Sequence, residues 1–385
     1  MSFKFIDLFC GIGGFHIALS ELGGKCVFAS DIDKECRKVY EDNYKLKPVG
    51  DITQVKTQDI PDHDVLVGGF PCQAHSNAGH KKAFDDKRGK LFDEIIRIAR
   101  DKQPKIMLLE NVKHIKKVKD GKVFEYIYNE LNKVGYHVQD IELSPHEFGI
   151  PQSRPRVYFI CLRKDMYDPI KVEITPVVTK HEIFQKLSEI DTKYLVPQEI
   201  CKVIDLWDIM LKQMEVGQRI SVPIILEEFY NAYETYDGLA DWKVNYIKKN
   251  KDIYAKYQQA WDDWFEKNSE LLTKKVVYSK LEWQTGALKG NDSIWEHFIQ
   301  LRQSGIRVKS NDKFPTLVAI VQTPIYGKEK RYLTPRECAR LQSFPDEFKM
   351  HATDKLAYKQ FGNSVNVHVV QTIFGSILEA IDFDI

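Results

Sequence analysis

The chain lacks any apolar run approaching the roughly 18 residues of a membrane span, and it has no C-x-x-C pair, internal repeat or low-complexity tract. The missing run argues against a transmembrane protein. Its start, MSFKFIDLFCGIGG, has none of the basic, apolar and small-residue sections of a signal peptide, so a cytoplasmic location is expected. Cysteine is sparse. Cys10, Cys26, Cys36, Cys72, Cys161, Cys201 and Cys338 are odd in number and widely spread, which argues against a disulfide framework or a zinc site and for a reducing compartment. Net charge is nearly absent: 56 basic against 55 acidic side chains give +1. A polyanion partner would therefore need a local patch. What is present is ordinary for a globular protein, with 43% apolar and 29% charged residues among 385. At about 100–200 residues per domain, that length suggests two or three domains, or one large domain with an insertion.

Residues 1–164 read as alternating strands and helices. FKFIDLF runs into the glycine turn CGIGG and then the helical FHIALSELG. KCVFASD, DVLVGGF, KIMLLENV and RVYFICLR are further strand candidates, with KECRKVYEDNY, LFDEIIRIARDK and KVFEYIYNELNKVG as helices among them. This rhythm predicts a doubly wound α/β sheet, mixed but mostly parallel. From residue 165 to 330 the rhythm fades into polar, partly helical stretches that hold all six tryptophans, which reads as an inserted second domain. The tryptophans are expected to build its core. VNVHVVQTIFGSILEAI then returns as a helix whose Val370, Ile373, Phe374, Ile377, Leu378 and Ile381 share one face.

Four motifs carry chemistry. In Asp7-Leu-Phe-Cys-Gly-Ile-Gly-Gly, the glycines Gly11, Gly13 and Gly14 permit a tight turn and close approach of a ligand. Asp31, twenty residues after Gly11, suits a ribose diol, and Asp51 sits where an adenine would lie. Read alone, the motif is equally a structural turn, and His16 at the third glycine position argues against a dinucleotide. In Gly-Gly-Phe-Pro-Cys-Gln, Cys72 follows a strand and is either a nucleophile or a structural cysteine. Glu110, after the strand KIMLL, is either a proton donor with a raised pKa or an ordinary acid. In Gln152-Ser-Arg-Pro-Arg, strand geometry would point Gln152, Arg154 and Arg156 to one side, toward a phosphate or pyrimidine carbonyl; a solvated surface pair is the alternative.

The order of these motifs, followed by Arg336-Glu-Cys-Ala-Arg-Leu-Gln-Ser-Phe-Pro and Gly362-Asn-Ser-Val, resembles the DNA (cytosine-5)-methyltransferases of compact bacterial restriction-modification systems. The likeness covers about residues 3–164 and 331–381. It implies an S-adenosylmethionine-dependent methyltransferase fold, with a catalytic and cofactor domain over 1–185 and 350–385, a smaller target-recognition domain over 186–330 and a hinge over 331–349.

The resemblance also implies roles. Cys72 would add to C6 of a flipped-out cytosine, Glu110 would assist at N3, Arg154 would hold the carbonyl and Arg156 would support the loop. Phe9, Gly11, Gly13, Asp31, Ile32, Asp51, Ile52, Pro71, Asn363, Ser364 and Val365 would bind S-adenosylmethionine. The family often has a bulkier aromatic where Ile32 stands, and an aromatic where His75 stands; His75 is expected to pack rather than titrate. Residues 76–90, with five basic and two acidic side chains, fit a lid. Gln73, Ser76, Asn77, Lys81, Arg88, Arg302, Arg307, Lys309 and Thr316 would contact double-stranded DNA. No metal and no membrane are implied. A monomer is expected, with a cognate restriction endonuclease as partner. The rivals are a tRNA cytosine-5 methyltransferase of the same family and a non-catalytic DNA-binding relative.

Overall fold

The computed structural model describes residues 2–71, 91–178, 181–319 and 322–381. Two compact units emerge: unit 1 comprises Met1–Ile183, Val318–Ile320 and Pro335–Ile385, and unit 2 comprises Phe184–Leu317 and Val321–Thr334.

Unit 1 begins with β1 (Phe3–Leu8), α1 (Gly14–Glu21), β2 (Gly24–Ser30), α2 (Lys34–Tyr44), β3 (Val65–Gly69), α3 (Leu91–Lys102), β4 (Ile106–Val112), α4 (Lys122–Lys133), β5 (Tyr136–Leu143) and β6 (Arg156–Arg163). The sheet order is β2-β1-β3-β4-β6-β5. β2, β1, β3 and β4 run parallel, whereas β6 is antiparallel to both β4 and β5. Val65–Val67 and Ile106–Leu109 are buried throughout, as strands covered on both faces require. The Asp33 carboxylate caps α2 by accepting from the Glu35 and Cys36 N–H groups.

Two features depart from the sequence reading. β5 escaped it because Gln139, Asp140 and Glu142 break its apolar pattern; as the last strand of the sheet it pairs on one side only. The third β-α unit has no full strand. A single bridge, Ser30 to Val49, leads to a short 3-10 turn at Ile52–Gln54 capped by Asp51.

Unit 2 holds α5 (Gln198–Leu211), β7 (Ile224–Ile225), α6 (Leu226–Tyr230), α7 (Asp241–Lys256), α8 (Gln258–Thr273), β8 (Lys280–Gln284), β9 (Phe298–Arg302), β10 (Gly305–Lys309), β11 (Ile325–Tyr326) and β12 (Arg331–Tyr332). A second sheet, in the order β12-β11-β9-β10-β8-β7, was not evident in the sequence because its strands are two to five residues long. Trp207, Trp261 and Trp264 pack with Phe229 in the core beneath it, with ring centroids of 5.0 Å for Trp207–Trp264 and 4.9 Å for Phe229–Trp261. Two of the three polar handles are used: the Trp207 and Trp264 indole N–H groups donate to the Tyr278 and Leu206 carbonyls, whereas the Trp261 indole N–H has no partner among the described residues.

The chain then re-enters unit 1 as α9 (Pro335–Leu341), α10 (Asp354–Asn363) and α11 (Val367–Ala380). Residues 335–349, expected as part of a hinge, thus belong to unit 1 by compactness, and 331–334 to unit 2. Val370, Ile373, Phe374, Ile377 and Leu378 of α11 are all buried, and the Phe374 ring meets Phe3 at 5.3 Å. Each such fully buried side chain contributes roughly 1.5–3 kcal/mol, so α11 is a structural member of the sheet layer.

Candidate active site

The groups that carry chemistry gather at the carboxyl ends of β1 to β4. Leaving β1, the chain turns through Phe9 and Gly11, both at positive φ (57° and 53°), and Gly13 (87°). At Gly13 the left-handed backbone coincides with close packing, since an added Cβ would lie 2.3 Å from the Tyr44 ring. Around Gly11 no atom lies within 4 Å of such a Cβ, so its backbone borders open space. The Asp31 carboxylate fixes this turn. Its Oδ2 accepts from the Gly11 N–H and its Oδ1 from the Asp33 N–H, both at 2.8 Å. Burial raises the Asp31 pKa, against the pull of those donors. Ile32, beside it, is 77% exposed. The Asp51 Oδ1 accepts from the Thr53 backbone and hydroxyl, and Ile52 is buried in the core. Ser364 and Val365 lie against Gly14, where an added Cβ would meet Val365 Cγ2 at 2.7 Å. Asn363, the last residue of α10, is exposed.

Asp7, in the glycine-turn motif, is a further candidate. It is fully buried at the end of β1, and neither carboxylate oxygen has a hydrogen-bond partner among the described residues. Burial, and then the Asp31 charge, push its pKa well above the carboxylate range. Its place four residues before the first glycine was the available signal.

The second group of side chains lies one strand over. Gly69 of β3 pairs in register with Glu110 of β4, and a Cβ at Gly69 would sit 3.3 Å from Glu110 Oε2. The carboxyl therefore flanks the strand end that leads into Phe70 and Pro71. Asn111 donates to the Phe70 carbonyl at 3.1 Å, pinning the same segment; it was legible only as the neighbour of Glu110. Arg156 Nε lies 2.8 Å from Glu110 Oε1. Burial nonetheless raises the Glu110 pKa, outweighing Arg156 and Arg154.

The expected shared face of Gln152, Arg154 and Arg156 is not formed. β6 begins only at Arg156, because Pro151 and Pro155 carry no N–H for a ladder. Gln152 and Arg154 are buried instead of solvated, and the three diverge. Gln152 donates to the Leu341 carbonyl, and Arg154 Nη2 donates to the carbonyls of Gly362 (2.9 Å) and Ser364 (2.8 Å). Burial lowers the Arg154 pKa to about 9. Gln342 also donates to Ser364, at 3.0 Å, and to Phe361, at 2.8 Å. The Arg336–Pro345 motif therefore anchors the returning chain beside Arg154. Cys72, Gln73, His75, Ser76, Asn77, Lys81, Arg88 and the rest of the expected lid lie outside the described residues.

The family model for C-5 cytosine-specific DNA methylase matches residues 3–379. The chain belongs to this family. The methylase is 33% identical over 380 residues to Type II methyltransferase M.HhaI of Haemophilus parahaemolyticus, covering 99% of this chain and 95% of that one. It is also 33% identical to Type II methyltransferase M.HpaII of Haemophilus parainfluenzae, with 98% and 89% covered. Among solved structures, the Entamoeba histolytica methyltransferase EhMeth superposes with a TM-score of 0.58 at 22% identity, with 98% of both chains covered, which supports the same fold.

In unit 2 of the methylase, Arg302, Arg307 and Lys309 extend from the sheet face opposite the tryptophan core. Arg307 pairs with Glu282 at 2.6 Å, and Arg302 donates to Gln300 Oε1 at 2.6 Å. Burial, and then Arg307, lower the pKa values of Arg302 and Lys309. Three half-buried cations thus share one carboxylate, which favours an anionic or acceptor-rich partner. Thr316 is half-buried in the same unit. Among the described residues no cluster suits a metal ion, and no helix is long and apolar enough to cross a membrane.

Proposed function

We propose that this methylase is a sequence-specific DNA (cytosine-5)-methyltransferase that moves a methyl group from S-adenosylmethionine to C5 of a flipped-out cytosine in double-stranded DNA. The observation that carries the reading is Glu110, a carboxyl with a raised pKa, registered against the strand end that leads directly to Pro71 and Cys72. The relatives named as Type II methyltransferases support a restriction-modification setting. With it we propose a cognate endonuclease of the same site, and a methyltransferase that acts as a monomer in the cytoplasm.

The cofactor's groups find matching residues in unit 1. Its ribose diol suits Asp31, whose oxygens each keep lone-pair capacity beyond one backbone N–H. Its adenine suits the exposed Ile32 with Asp51 and Ile52, and its ammonium suits the orphan carboxyl of Asp7. The open backbone at Gly11, with Phe9 and Gly13 beside it, and the chain at Pro71, Asn363, Ser364 and Val365 complete the set. When bound, S-adenosylmethionine supplies an electrophilic methyl group. The chain's own residues prepare the base. The Cys72 sulfur adds to C6, and the displaced double-bond electrons make C5 nucleophilic. Glu110 supplies a proton at N3, which its raised pKa favours at neutral pH. Arg154 holds the carbonyl, and Arg156 keeps Glu110 in place. Once C5 carries the methyl group, loss of its proton to water re-forms the C5–C6 double bond, Cys72 leaves as the thiolate and N3 returns its proton to Glu110. Gln73, Ser76, Asn77, Lys81 and Arg88 beside the nucleophile, and Arg302, Arg307, Lys309 and Thr316 in unit 2, are proposed DNA contacts.

Bisulfite sequencing of plasmid DNA and tRNA after incubation with S-adenosylmethionine tests the proposal. Cytosines protected at one short plasmid motif are expected. Protection confined to a tRNA cytosine, or none in either substrate, overturns the DNA reading.

A further inference from the structure

Five of the six tryptophans are buried in unit 2, and the sixth, Trp242, is 66% exposed. It lies in the first turn of α7, whose sequence DWKVNYIKKNKDIYAK carries five lysines against two aspartates. α8 reverses the balance, with Asp262, Asp263, Glu266 and Glu270 against Lys267. At helical spacing, Trp242, Tyr246, Lys249, Ile253 and Lys256 fall along one stripe. The Trp242 and Tyr246 rings meet edge-on at 5.9 Å. The far end of the stripe borders a cavity of about 330 Å³, completed by Arg219 and Ser221 from the segment before β7.

The cations of this cavity differ in their commitments. Lys256 Nζ is held by Glu215 at 2.7 Å and Gln218 at 3.0 Å. The side chains of Arg219 and Lys249 are exposed and make no hydrogen bond or ion pair among the described residues. Asp252 is the sole carboxylate among the lining residues. Asn250, fully buried below, is spent on the Ile225 N–H and the Pro223 and Tyr246 carbonyls, so it holds the cavity wall together. Two uncommitted cations bordering one concavity make an anion its complementary occupant. Spaced cations beside an exposed aromatic suit a chain of anions with apolar faces between them, the chemistry of a sugar-phosphate backbone.

We propose that the α7 stripe and the Arg219–Lys249 cavity form a further DNA-binding site, taking backbone phosphates that flank the recognition sequence. It rests on the DNA reading above and adds a surface remote in sequence from every motif that carried it. The site predicts a dependence on duplex length. Binding of the full chain and of an Arg219→Gln/Lys249→Gln variant is measured by anisotropy across a salt series, on duplexes of about 14 and about 40 base pairs sharing one methylation site. For the long duplex, the variant's log–log salt slope is expected to fall by about 1.8, at about 0.9 per lost phosphate contact. Binding of the short duplex and kcat at saturating DNA stay at parent values.

Contact along the stripe is read from Trp242 emission, taken as parent minus Trp242→Phe, which changes on adding the long duplex. An unchanged slope on the long duplex overturns the proposal, as does an equal fall on both lengths, which places the cations within the recognition footprint. Inorganic phosphate alone saturating the Trp242 change while the duplex slope is unaltered makes the cavity a small-anion site and also overturns it. A parent that methylates DNA while the variant keeps its slope removes this inference only. A parent that neither binds nor methylates DNA removes the DNA reading itself.

Discussion

Unit 1 and unit 2 handle charge in opposite ways. In unit 1 three charged side chains near the strand ends are half-buried or buried and held in place: Asp31 by two backbone N–H groups, Arg154 by two carbonyls, Glu110 by Arg156. Unit 2 buries five of its six tryptophans, and leaves Arg302, Arg307 and Lys309 half-buried on a sheet face and Arg219 and Lys249 exposed. The difference follows from the proposed tasks. Bond-making needs groups held within a fraction of an ångström and with shifted pKa values. Reading and gripping a polyanion needs cations that can still exchange water for phosphate or base.

That contrast can be broken at several points. The largest effect is expected from Cys72→Ala, a fall in kcat of about 10⁴-fold or more with the fold intact, as for the loss of any covalent nucleophile. A variant that retains full methylation in a single-turnover assay removes the chemistry from this segment. Next is Trp207→Ala, which empties the centre of unit 2 and should destabilise it by about 3–5 kcal/mol. Denaturant unfolding followed by tryptophan emission measures this, and calorimetric binding of S-adenosylmethionine should survive if the cofactor belongs to unit 1. Loss of cofactor binding in a variant that remains folded would contradict the assignment.

A smaller effect separates the cations. Arg307→Gln should cost about 1–3 kcal/mol of discrimination at one base pair, seen as extra protected motifs in bisulfite profiles while kcat at the best site holds. A uniform loss at every site would make Arg307 a phosphate contact. The gentlest test concerns pH. Asp7 has a raised folded pKa, so its contribution to stability is complete below the ordinary Asp value and is lost as pH rises through the raised one. The cofactor-free protein should therefore lose stability from about pH 4 upward, and Asp7→Asn should flatten that fall. Parallel curves for parent and variant would mean that Asp7 does not titrate in this range.

The strands β1, β2, β3, β4 and β6 and the helices α1 to α4 and α11 were legible because continuous apolar runs and 3.6-residue periodicity are local properties. The glycine turn, Pro71-Cys72, Glu110 and Asp31 were legible as types of residue at strand ends. The divergence of Gln152, Arg154 and Arg156 was not, because it depends on Pro151 and Pro155 delaying the strand and on carbonyls of Leu341, Gly362 and Ser364, 189 to 210 residues away. The sheet of unit 2 was hidden for a related reason: its two- to five-residue strands are stabilised by partners across the sheet rather than by their own pattern.

The sequence by itself determined most of the β-α order of unit 1, β5 excepted, the family, and which residue types stand at the strand ends, since each is written in contiguous stretches of chain. Only the tertiary structure decided that Asp7 is an orphan carboxyl, that Glu110 flanks the Pro71 segment under the hold of Arg156, and that Arg219 and Lys249 border one cavity. Those facts depend on burial and on through-space distance. Both arise when distant segments pack together, and no local pattern encodes them.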